Sequence, residues 1–326
     1  MRLLFVFVFL SSVAFGQTTA IPDPNFEQAL IDFGYDNILD GQVLTSNIVG
    51  VTNLDIPNLN ISNLSGIQDF SSLNELRCHF NNINSFDFSQ NNNIEFLEIS
   101  GNPVNTLVLN NLSNLKELWI DFTNISSIDL SSNIYLEDLF FGGFWEDNNT
   151  GNLVWSQMNS IDLSANIYLM NVGYYGGELE SLDLSNCIVN GYSDIDIVFP
   201  INMSCLNLAN GTNGVMPNGG DIISLNIDDE DDWGIACPSL CIEVDNTNIA
   251  NSVWNNNIDH PNYNFSLDCG NCLSVSNLLE QNTNNHKKLS KILDLLGRET
   301  SFKPNTPLIY VYDDGSTKKV FVAKYQ

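Results

Sequence analysis

The chain has 326 residues, of which 43% are hydrophobic, so it is long enough to bury a sizeable core and to form two domains. Its 39 Asp and Glu against 11 Lys and Arg give a formal net charge of -28. Between residues 17 and 285 there are 35 acidic residues, and the basic ones are Arg77 and Lys116. Because nucleic-acid binding requires clustered cations against the phosphates, this composition excludes a nucleic-acid partner.

Residues 1–16 are typical of a secretory signal peptide. Arg2 precedes an apolar run over Leu3–Leu10, and small residues stand at Ala14 and Gly16. The run is too short for a membrane span, which requires roughly twenty apolar residues, and no other stretch approaches that length. We therefore expect an exported chain with no transmembrane segment.

Residues 17–70 are predicted to form an N-terminal cap and the first coils of a repeat structure. Asp23 is suited to the N-cap of a helix and Pro24 to its first position, with Phe26 and Leu30 on the apolar stripe. A cap of this kind would cover the hydrophobic end of the first coil.

Residues 71–236 repeat at an interval of 21 residues, and each copy contains two apolar frames. The first frame places leucines at Leu76, Leu97, Leu118 and Leu139, and the second begins at Phe86, Leu107 and Ile128. Period-two spacing within each frame predicts two short extended segments per coil. Five residues after each frame stands a residue suited to a buried turn, where a short polar side chain can bond unpaired backbone groups: Asn81, Asn102 and Thr123 in one series, and Asn91, Leu112, Asn133, Asn166 and Cys187 in the other.

This pattern, L-x-x-L-x-L-x-x-N, resembles the leucine-rich repeat, and its nested double use resembles the twenty-one-residue bacterial class of that family. The resemblance covers roughly Val51 to Asp245, and Leu112 departs from it. It implies a β-rich solenoid of leucine-rich repeats with a helical N-terminal cap and a cysteine-containing C-terminal cap, followed here by a small all-β C-terminal module.

Residues 142–157 interrupt the repeat, because Ile128 and Ile161 lie 33 residues apart. Insertions in repeat proteins form loops, often on the binding face. This one carries Phe144, Trp145 and Trp155. Apolar frames resume afterwards, and the register beyond Cys187 stays open.

Residues 237–272 contain four of the seven cysteines and resemble the C-terminal cap of secreted bacterial leucine-rich repeats. Four cysteines allow three connectivities. The resemblance favours a disulfide between Cys241 and Cys269, with Cys237 and Cys272 as the second pair.

Three further cysteines lie in the repeats. Cys78 and Cys187 occupy inward positions and are predicted to be buried thiols, whereas Cys205 has no assigned role. The C-x-x-C at Cys269 and Cys272 also fits a zinc site. An oxidising compartment favours disulfides, so no metal or cofactor is predicted.

Residues 273–285 are polar and without period, as in a linker, and the sign of the charge changes after them. Residues 286–326 contain an apolar strand at Leu308–Tyr312 that is followed by a turn and a second strand, which predicts a hairpin. This tail resembles the type A sorting domain of the type IX secretion system, and the residues that carry the resemblance are Gly297, Arg298, Glu299, Asp314, Gly315, Lys318 and Lys319. It implies delivery by that machinery to the surface or medium of a Gram-negative bacterium.

Two rows of outward residues differ in kind. One repeats Ser-Asp-Ser around Asp87, Asp129, Asp162 and Asp183, which indicates a structural ladder with hydrogen bonds between coils, or a weak calcium site. The other row is varied and aromatic, which suits recognition. With the insertion, it gives these candidate ligand-binding residues: Arg77, His79, Glu98, Trp119, Asp121, Phe140, Tyr175, Trp145 and Trp155. Either these aromatics form an exposed stripe or the insertion folds over them.

Signatures of catalysis are nearly absent, with no nucleophile elbow, zinc-protease helix or phosphate-binding loop. His79, His260 and His286 are the only histidines. The sequence predicts an exported, non-catalytic protein that binds an extracellular protein or glycan. A polysaccharide hydrolase and a structural surface-coat component are the alternatives. The run Asp228–Asp232 is interpreted as a solvated loop rather than a metal site.

Overall fold

The structure is a computed structural model, and it describes residues 16–146, 153–187, 193–198, 200, 202–210, 223–228, 239–254, 258–259, 263–269, 289–294, 298, 308–312 and 317–320. The chain divides into two compact units, Met1–Val275 and Ser276–Gln326. Within these described ranges, no helix is long and apolar enough to cross a membrane. The predicted signal peptide lies outside them, apart from Gly16.

The first unit begins with strand β1 (Thr18–Ala20), helix α1 (Pro24–Asp32), strand β2 (Gln42–Leu44) and helix α2 (Thr45–Ile48), and β1 pairs with β2 antiparallel. Asp23 caps α1, because its Oδ1 accepts hydrogen bonds from the amides of Asn25 and Phe26. Its Oδ2 accepts from the amides of Ser62 and Asn63, which ties the helix to the following coil. The Asp-Pro helix start is therefore confirmed.

The coils follow, and their strands are short. They are β3 (Asn53–Asp55), β4 (Glu75–Arg77), β5 (Phe96–Glu98), β6 (Glu117–Trp119), β7 (Asp138–Phe141), β8 (Phe144–Glu146), β9 (Leu153–Trp155), β10 (Asn171–Tyr174), β11 (Ser181–Asp183), β12 (Ser193–Val198), β13 (Cys205–Asn207), β14 (Ile223–Asp228), β15 (Leu240–Glu243), helix α3 (Thr247–Val253), β16 (Ile258–Asp259) and β17 (Tyr263–Ser266). A single turn of 3₁₀ helix spans Ile67–Asp69.

A nine-stranded parallel sheet runs in the order β16-β14-β12-β10-β7-β6-β5-β4-β3. Leu76, Leu97, Leu118 and Leu139 are directly paired along it and are fully buried, which confirms the predicted inward frame. Burial of such a side chain from water contributes about 1.5–3 kcal/mol. Two strands in this sheet, β12 and β16, were not predicted.

The second frame behaves differently along the chain. Phe88, Leu109, Leu130 and Leu163 are buried, but the coils that contain them form no strand there. Paired strands on this side begin only at β11, which joins a four-stranded parallel sheet in the order β11-β13-β15-β17. Both predicted segments of each coil are therefore buried as expected. Both form paired strands only in the later coils.

The insertion is not a plain loop, because β8 and β9 pair antiparallel as a hairpin. Phe144 lies directly opposite Trp155, with ring centroids 4.8 Å apart. Cross-strand aromatic pairs of this kind stabilise a two-stranded sheet. Nothing is described for residues 147–152 or for the side chain of Trp145.

The Cys241–Cys269 disulfide is present, with the two Cα atoms 5.7 Å apart. It links β15 to the residues after β17. Cys205 is also disulfide-bonded, which the sequence did not predict. Cys78 and Cys187 are buried free thiols, as predicted. The proposed pair of Cys237 and Cys272 lies outside the described residues.

The second unit contains β18 (Leu289–Asp294), β19 (Leu308–Tyr312) and β20 (Thr317–Val320), which form a three-stranded antiparallel sheet in that order. Lys318 and Lys319 belong to β20, and Arg298 is exposed. Gly297, Glu299, Asp314 and Gly315 lie outside the described part of the chain.

Candidate functional site

The outward side chains of the nine-stranded sheet form what we name the sheet face. Its members in the central coils are Glu75, Arg77, His79, Phe96, Glu98, Ser100, Glu117, Trp119, Asp121, Asp138, Phe140 and Tyr175. The strand register aligns Arg77, Glu98, Trp119, Phe140 and Gly173 in one row across five strands. Seven of the nine predicted binding residues therefore lie on one surface.

Aromatic rings follow this row as a stack. The ring centroids of Trp119 and Phe140 are 4.9 Å apart, and those of Phe140 and Tyr175 are 6.4 Å apart with nearly parallel planes. Gly173 permits this arrangement, because a Cβ there would clash with the Phe140 ring. Neighbouring parallel strands lie about 4.8 Å apart, so aromatics at equivalent positions contact one another.

The stack forms part of a pocket of about 280 Å³. Its lining is mostly aromatic, with three polar side chains, and comprises Phe80, Glu98, Ser100, Trp119, Asp121, Phe122, Phe140 and Tyr175. None of the described residues of the insertion belongs to this lining. The predicted aromatic row is thus part of an open concavity, and Phe144 and Trp155 pack on each other instead.

Phe80 and Phe122 were not predicted as site residues. Both adopt a left-handed backbone, with φ of 51° and 55°, which is strained for a bulky side chain. Each ring covers a glycine one coil later, because a Cβ at Gly101 would clash with Phe80 and one at Gly143 with Phe122. The signal was present in the sequence, since Phe and Gly alternate here at the same interval of 21 residues.

The backbone holds these four turn residues in a line. The amide of Phe80 donates to the Ser100 carbonyl, that of Gly101 to the Asp121 carbonyl, and that of Phe122 to the Gly142 carbonyl, at 2.7 to 3.0 Å. The rings at the pocket's edge are therefore fixed by main-chain bonds from coil to coil.

Arg77 and His79 both lie close to the carboxylate of Glu98, which lines the pocket. His79 Nδ1 lies 3.0 Å from Glu98 Oε1, and Arg77 Nε lies 3.7 Å from Glu98 Oε2. Arg77 is also ion-paired with Glu75, and its guanidinium carbon lies 4.2 Å from the centroid of the Phe96 ring. Burial raises the pKa of Glu98, and the nearby His79 and Arg77 oppose that rise.

Asp121 has a different environment. Its Oδ1 lies 2.7 Å from the hydroxyl of Ser100, which donates to it. Burial raises the pKa of Asp121, and the Ser100 hydrogen bond, a bond from its own backbone amide and the nearby His79 only partly offset this. Among the described residues, no Lys or Arg is ion-paired with Asp121. The indole N–H of Trp119 is buried and has no acceptor among those residues.

The Ser-Asp-Ser row, which we name the ladder face, consists of Asp87, Asp129, Asp162 and Asp183. Each Asp accepts a hydrogen bond from the amide two residues later, at 2.9 to 3.0 Å. These bonds form Asx turns within one coil. Asp87 also accepts a side-chain hydrogen bond from Gln68 of the preceding coil. The described residues contain no group of three potential metal-ligating side chains.

The inward turn residues do bond between coils. Asn81 Nδ2 donates to the carbonyl of Ile56, and Asn102 Nδ2 donates to that of Cys78. On the other side Asn133 Nδ2 donates to the Leu112 carbonyl. The predicted polar ladder inside the coils is confirmed at these positions.

The chain has a β-rich repeat fold, in which the strands of successive coils form parallel sheets. No family model matches it, and no curated protein is similar to it. Similar solved structures include an internalin (InlF) from Listeria monocytogenes, at 17% identity and a TM-score of 0.45, with 76% of this chain and 65% of that chain covered.

Two further solved structures are similar. For an internalin C2 from Listeria monocytogenes the identity is 17% and the TM-score 0.46, with 78% of this chain and 100% of that chain covered. For the leucine-rich repeat domain of APL1B the identity is 14% and the TM-score 0.36, with 68% of this chain and 57% of that chain covered. With identities this low and TM-scores below one half, these likenesses identify no ligand for this chain.

Proposed function

We propose that the protein is a non-catalytic binding protein whose sheet face recognises an extracellular protein partner. The observation that carries this is the aromatic pocket, which joins five rings and two carboxylates on a face that varies from coil to coil. Aromatic side chains in a preformed concavity supply large contact areas at low entropic cost. A glycan is the other ligand class that such rings accommodate.

The test is a screen of the full chain against arrays of extracellular proteins and of glycans. Any ligand of the sheet face should lose affinity when Trp119 or Phe140 is replaced by alanine, by about 2 kcal/mol or more if they are hot spots. Asp129→Asn on the ladder face is the matched control and should leave affinity unchanged. A ligand whose affinity is unchanged by Phe140→Ala but is lost on substitution of Asp129 would place the binding site on the ladder face and contradict the proposal.

A polysaccharide hydrolase is the second candidate function, because Glu98 and Asp121 line the same pocket and burial raises the pKa of both. Glycoside hydrolysis uses two carboxyl groups, one of which is kept protonated by its environment. Release of reducing sugar from a polysaccharide panel, abolished by Asp121→Asn, would establish this activity. A panel that stays intact would rule it out for those substrates.

We further propose that residues 1–16 direct export and that residues 286–326 are a type A sorting domain that engages the type IX secretion machinery. The localisation would then be the medium or cell surface of a Gram-negative bacterium. In the same proposal the coils belong to the twenty-one-residue nested class, with residues 17–70 and 237–272 capping the solenoid. The sequence resemblances support this, together with the separate compact unit that the tail forms.

Truncation after Asn285 tests the sorting proposal. The shortened chain should keep the thermal transition of the repeat unit and accumulate in the periplasm of a host with a working type IX system. Normal yield of the truncated form at the surface would remove the sorting role from the tail.

A further inference from the structure

Arg77 shows how this sheet face holds a guanidinium group. The group lies over the ring of Phe96 and is ion-paired with carboxylates of Glu75 and Glu98. A planar, weakly hydrated cation is stabilised by an aromatic face and by carboxylate oxygens at the same time. An aromatic ring and a carboxylate together therefore form a binding site for a guanidinium group. In this coil the chain's own Arg77 occupies that site.

The pocket in the next coils also combines aromatic rings with a carboxylate. Its walls are the rings of Trp119, Phe140 and Tyr175 together with those of Phe80 and Phe122, and its polar lining includes Asp121. No Lys or Arg is among the eight residues that line it. Glu98 is engaged by Arg77 and His79, so Asp121 is the lining carboxylate that a further cation would meet.

The size of the pocket limits what enters it. At about 280 Å³ it lies just below the range of roughly 300–1,000 Å³ that holds drug-sized ligands, so it suits one side chain rather than a long segment. The Trp119 and Phe140 rings already contact each other, and main-chain bonds hold the turns of Phe80 and Phe122. A site that is ordered before binding loses little conformational entropy on binding.

The charge of the chain favours a cationic partner. Between residues 17 and 285 there are 35 acidic residues against Arg77 and Lys116. Beside the pocket, Glu117 and Asp138 add carboxylates whose pKa values are raised by burial. A surface of one sign raises the association rate of a partner segment of the opposite sign.

We propose that this pocket binds the guanidinium group of an arginine side chain on the partner protein, stacked against Trp119 and Phe140 and paired with Asp121. The inference rests on the proposed protein-binding function of the sheet face. Arginine is favoured over lysine because its planar group stacks on rings and forms two parallel hydrogen bonds to one carboxylate.

The experiment uses the full chain and short blocked peptides with one central residue, which is arginine, lysine or citrulline. Citrulline has nearly the shape of arginine but no charge. The arginine peptide should bind with millimolar affinity by isothermal titration calorimetry, and the citrulline peptide at least about tenfold more weakly. Lysine should lie between them. Equal affinity of arginine and citrulline, or no saturable binding of the arginine peptide, would overturn the inference.

Variants locate the binding. Asp121→Asn keeps the shape of the side chain and an oxygen to accept from Ser100, and should weaken the arginine peptide about tenfold while the citrulline peptide changes little. Asp129→Asn is the matched control on the ladder face and should change neither affinity. Arginine binding that survives Asp121→Asn unchanged contradicts the assignment.

The proposed arginine site and the proposed protein-binding function of the sheet face can be disproved separately. A partner from the protein array that requires Phe140 but binds Asp121→Asn normally would keep the proposed function and remove the arginine site. If partners bind the Phe140→Ala and Trp119→Ala variants with normal affinity, the sheet face is not the binding surface. This conclusion would hold for any result of the peptide titrations.

Discussion

Asp121 on the sheet face and Asp129 on the ladder face belong to neighbouring segments of one coil, yet their pKa values shift in opposite directions. Burial raises that of Asp121, whereas hydrogen bonds from Ser131 lower that of Asp129. The same contrast separates Glu98, Glu117 and Asp138 on the sheet face from Asp87 on the ladder face. The sheet face thus holds carboxylates in an unfavourable, desolvated state, and the ladder face holds them where the backbone stabilises them.

This difference separates the two roles physically. A desolvated carboxylate in a concavity is typical of a functional site, because burial there holds its pKa above the ordinary value. An exposed Asp whose oxygen accepts a local amide completes a turn and has no need of a ligand. The four predictions below test this contrast, from the largest expected effect to the smallest.

The first prediction concerns the core on which both faces rest. Leu118 is fully buried under the sheet face, so Leu118→Ala should lower the free energy of unfolding by about 2–5 kcal/mol through lost burial and a cavity. Ser127→Ala beside the ladder face is exposed and should change it by less than about 0.5 kcal/mol. Urea melts measure both. Similar losses would mean that the inward register is wrong.

The second prediction compares the buried turns behind the two faces. Asn81 is fully used, because its Oδ1 accepts from the amides of Leu59 and Ile61 while its Nδ2 donates to carbonyls. Asn133 donates through Nδ2, but its Oδ1 is buried without a partner among the described residues. Asn81→Leu should therefore cost about 1–3 kcal/mol.

Asn133→Leu is its matched control and should cost about 1 kcal/mol or less, because fewer hydrogen bonds are lost. The chain already has a leucine at the equivalent Leu112, which is fully buried. Unfolding by urea with both variants gives the comparison. A larger loss at Asn133 would show that its turn depends on the side chain as much as the turn behind the sheet face does.

Periodicity explains what could be predicted here. A constant interval of 21 residues identifies inward positions, so the buried leucines, the Asn turns and the shared surface of Trp119, Phe140 and Tyr175 followed from the sequence. Helix α1 followed from a local signal, the capping Asp23 before Pro24.

What was missed depends on backbone conformation or distant contacts. A left-handed backbone is expected of Gly101 and Gly143 but not of Phe80 and Phe122. The sequence pattern therefore did not predict that the rings of Phe80 and Phe122 lie at the edge of the pocket. The disulfide of Cys205 depends on which coils lie side by side, which spacing alone does not determine.

The third prediction is a pH dependence of opposite sign on the two faces. The pKa of Asp121 is raised in the folded state above 3.8, so the folded chain binds the proton more readily. The contribution of this group to stability therefore rises as pH falls from neutral through the raised pKa towards 3.8. The pKa of Asp129 is lowered, so its contribution is present above 3.8 and is lost as pH falls through the lowered value.

Urea melts across this acid range test the signs. Asp121→Asn should remove the part of the stability gain that appears on mild acidification. Asp129→Asn should remove part of the loss that appears in stronger acid. If the two variants change the pH profile in the same direction, the contrast between the faces is wrong.

The fourth prediction concerns the one central coil that breaks the ladder face. Val108 stands where Asp87 and Asp129 stand in the adjacent coils, and its side chain is 69% exposed. It offers no oxygen to the amide of Asn110, the position at which Ser89 and Ser131 donate in those coils. Val108→Asn supplies that acceptor without adding to the negative charge, and Asn207 shows that asparagine forms the same turn, with Ala209 as donor at 3.0 Å.

The gain expected from Val108→Asn is small, about 0.5 kcal/mol, because a solvent-exposed amide exchanges a bond to water for one to the side chain. Val108→Ala is the matched control, since it removes the exposed apolar side chain but adds no acceptor. Urea melts should show the asparagine variant above the alanine variant in stability, with the affinity of any sheet-face ligand unchanged in both. If the two variants are equally stable, the Asx turn contributes nothing measurable, and the Asp row would then need a reason other than local backbone bonding.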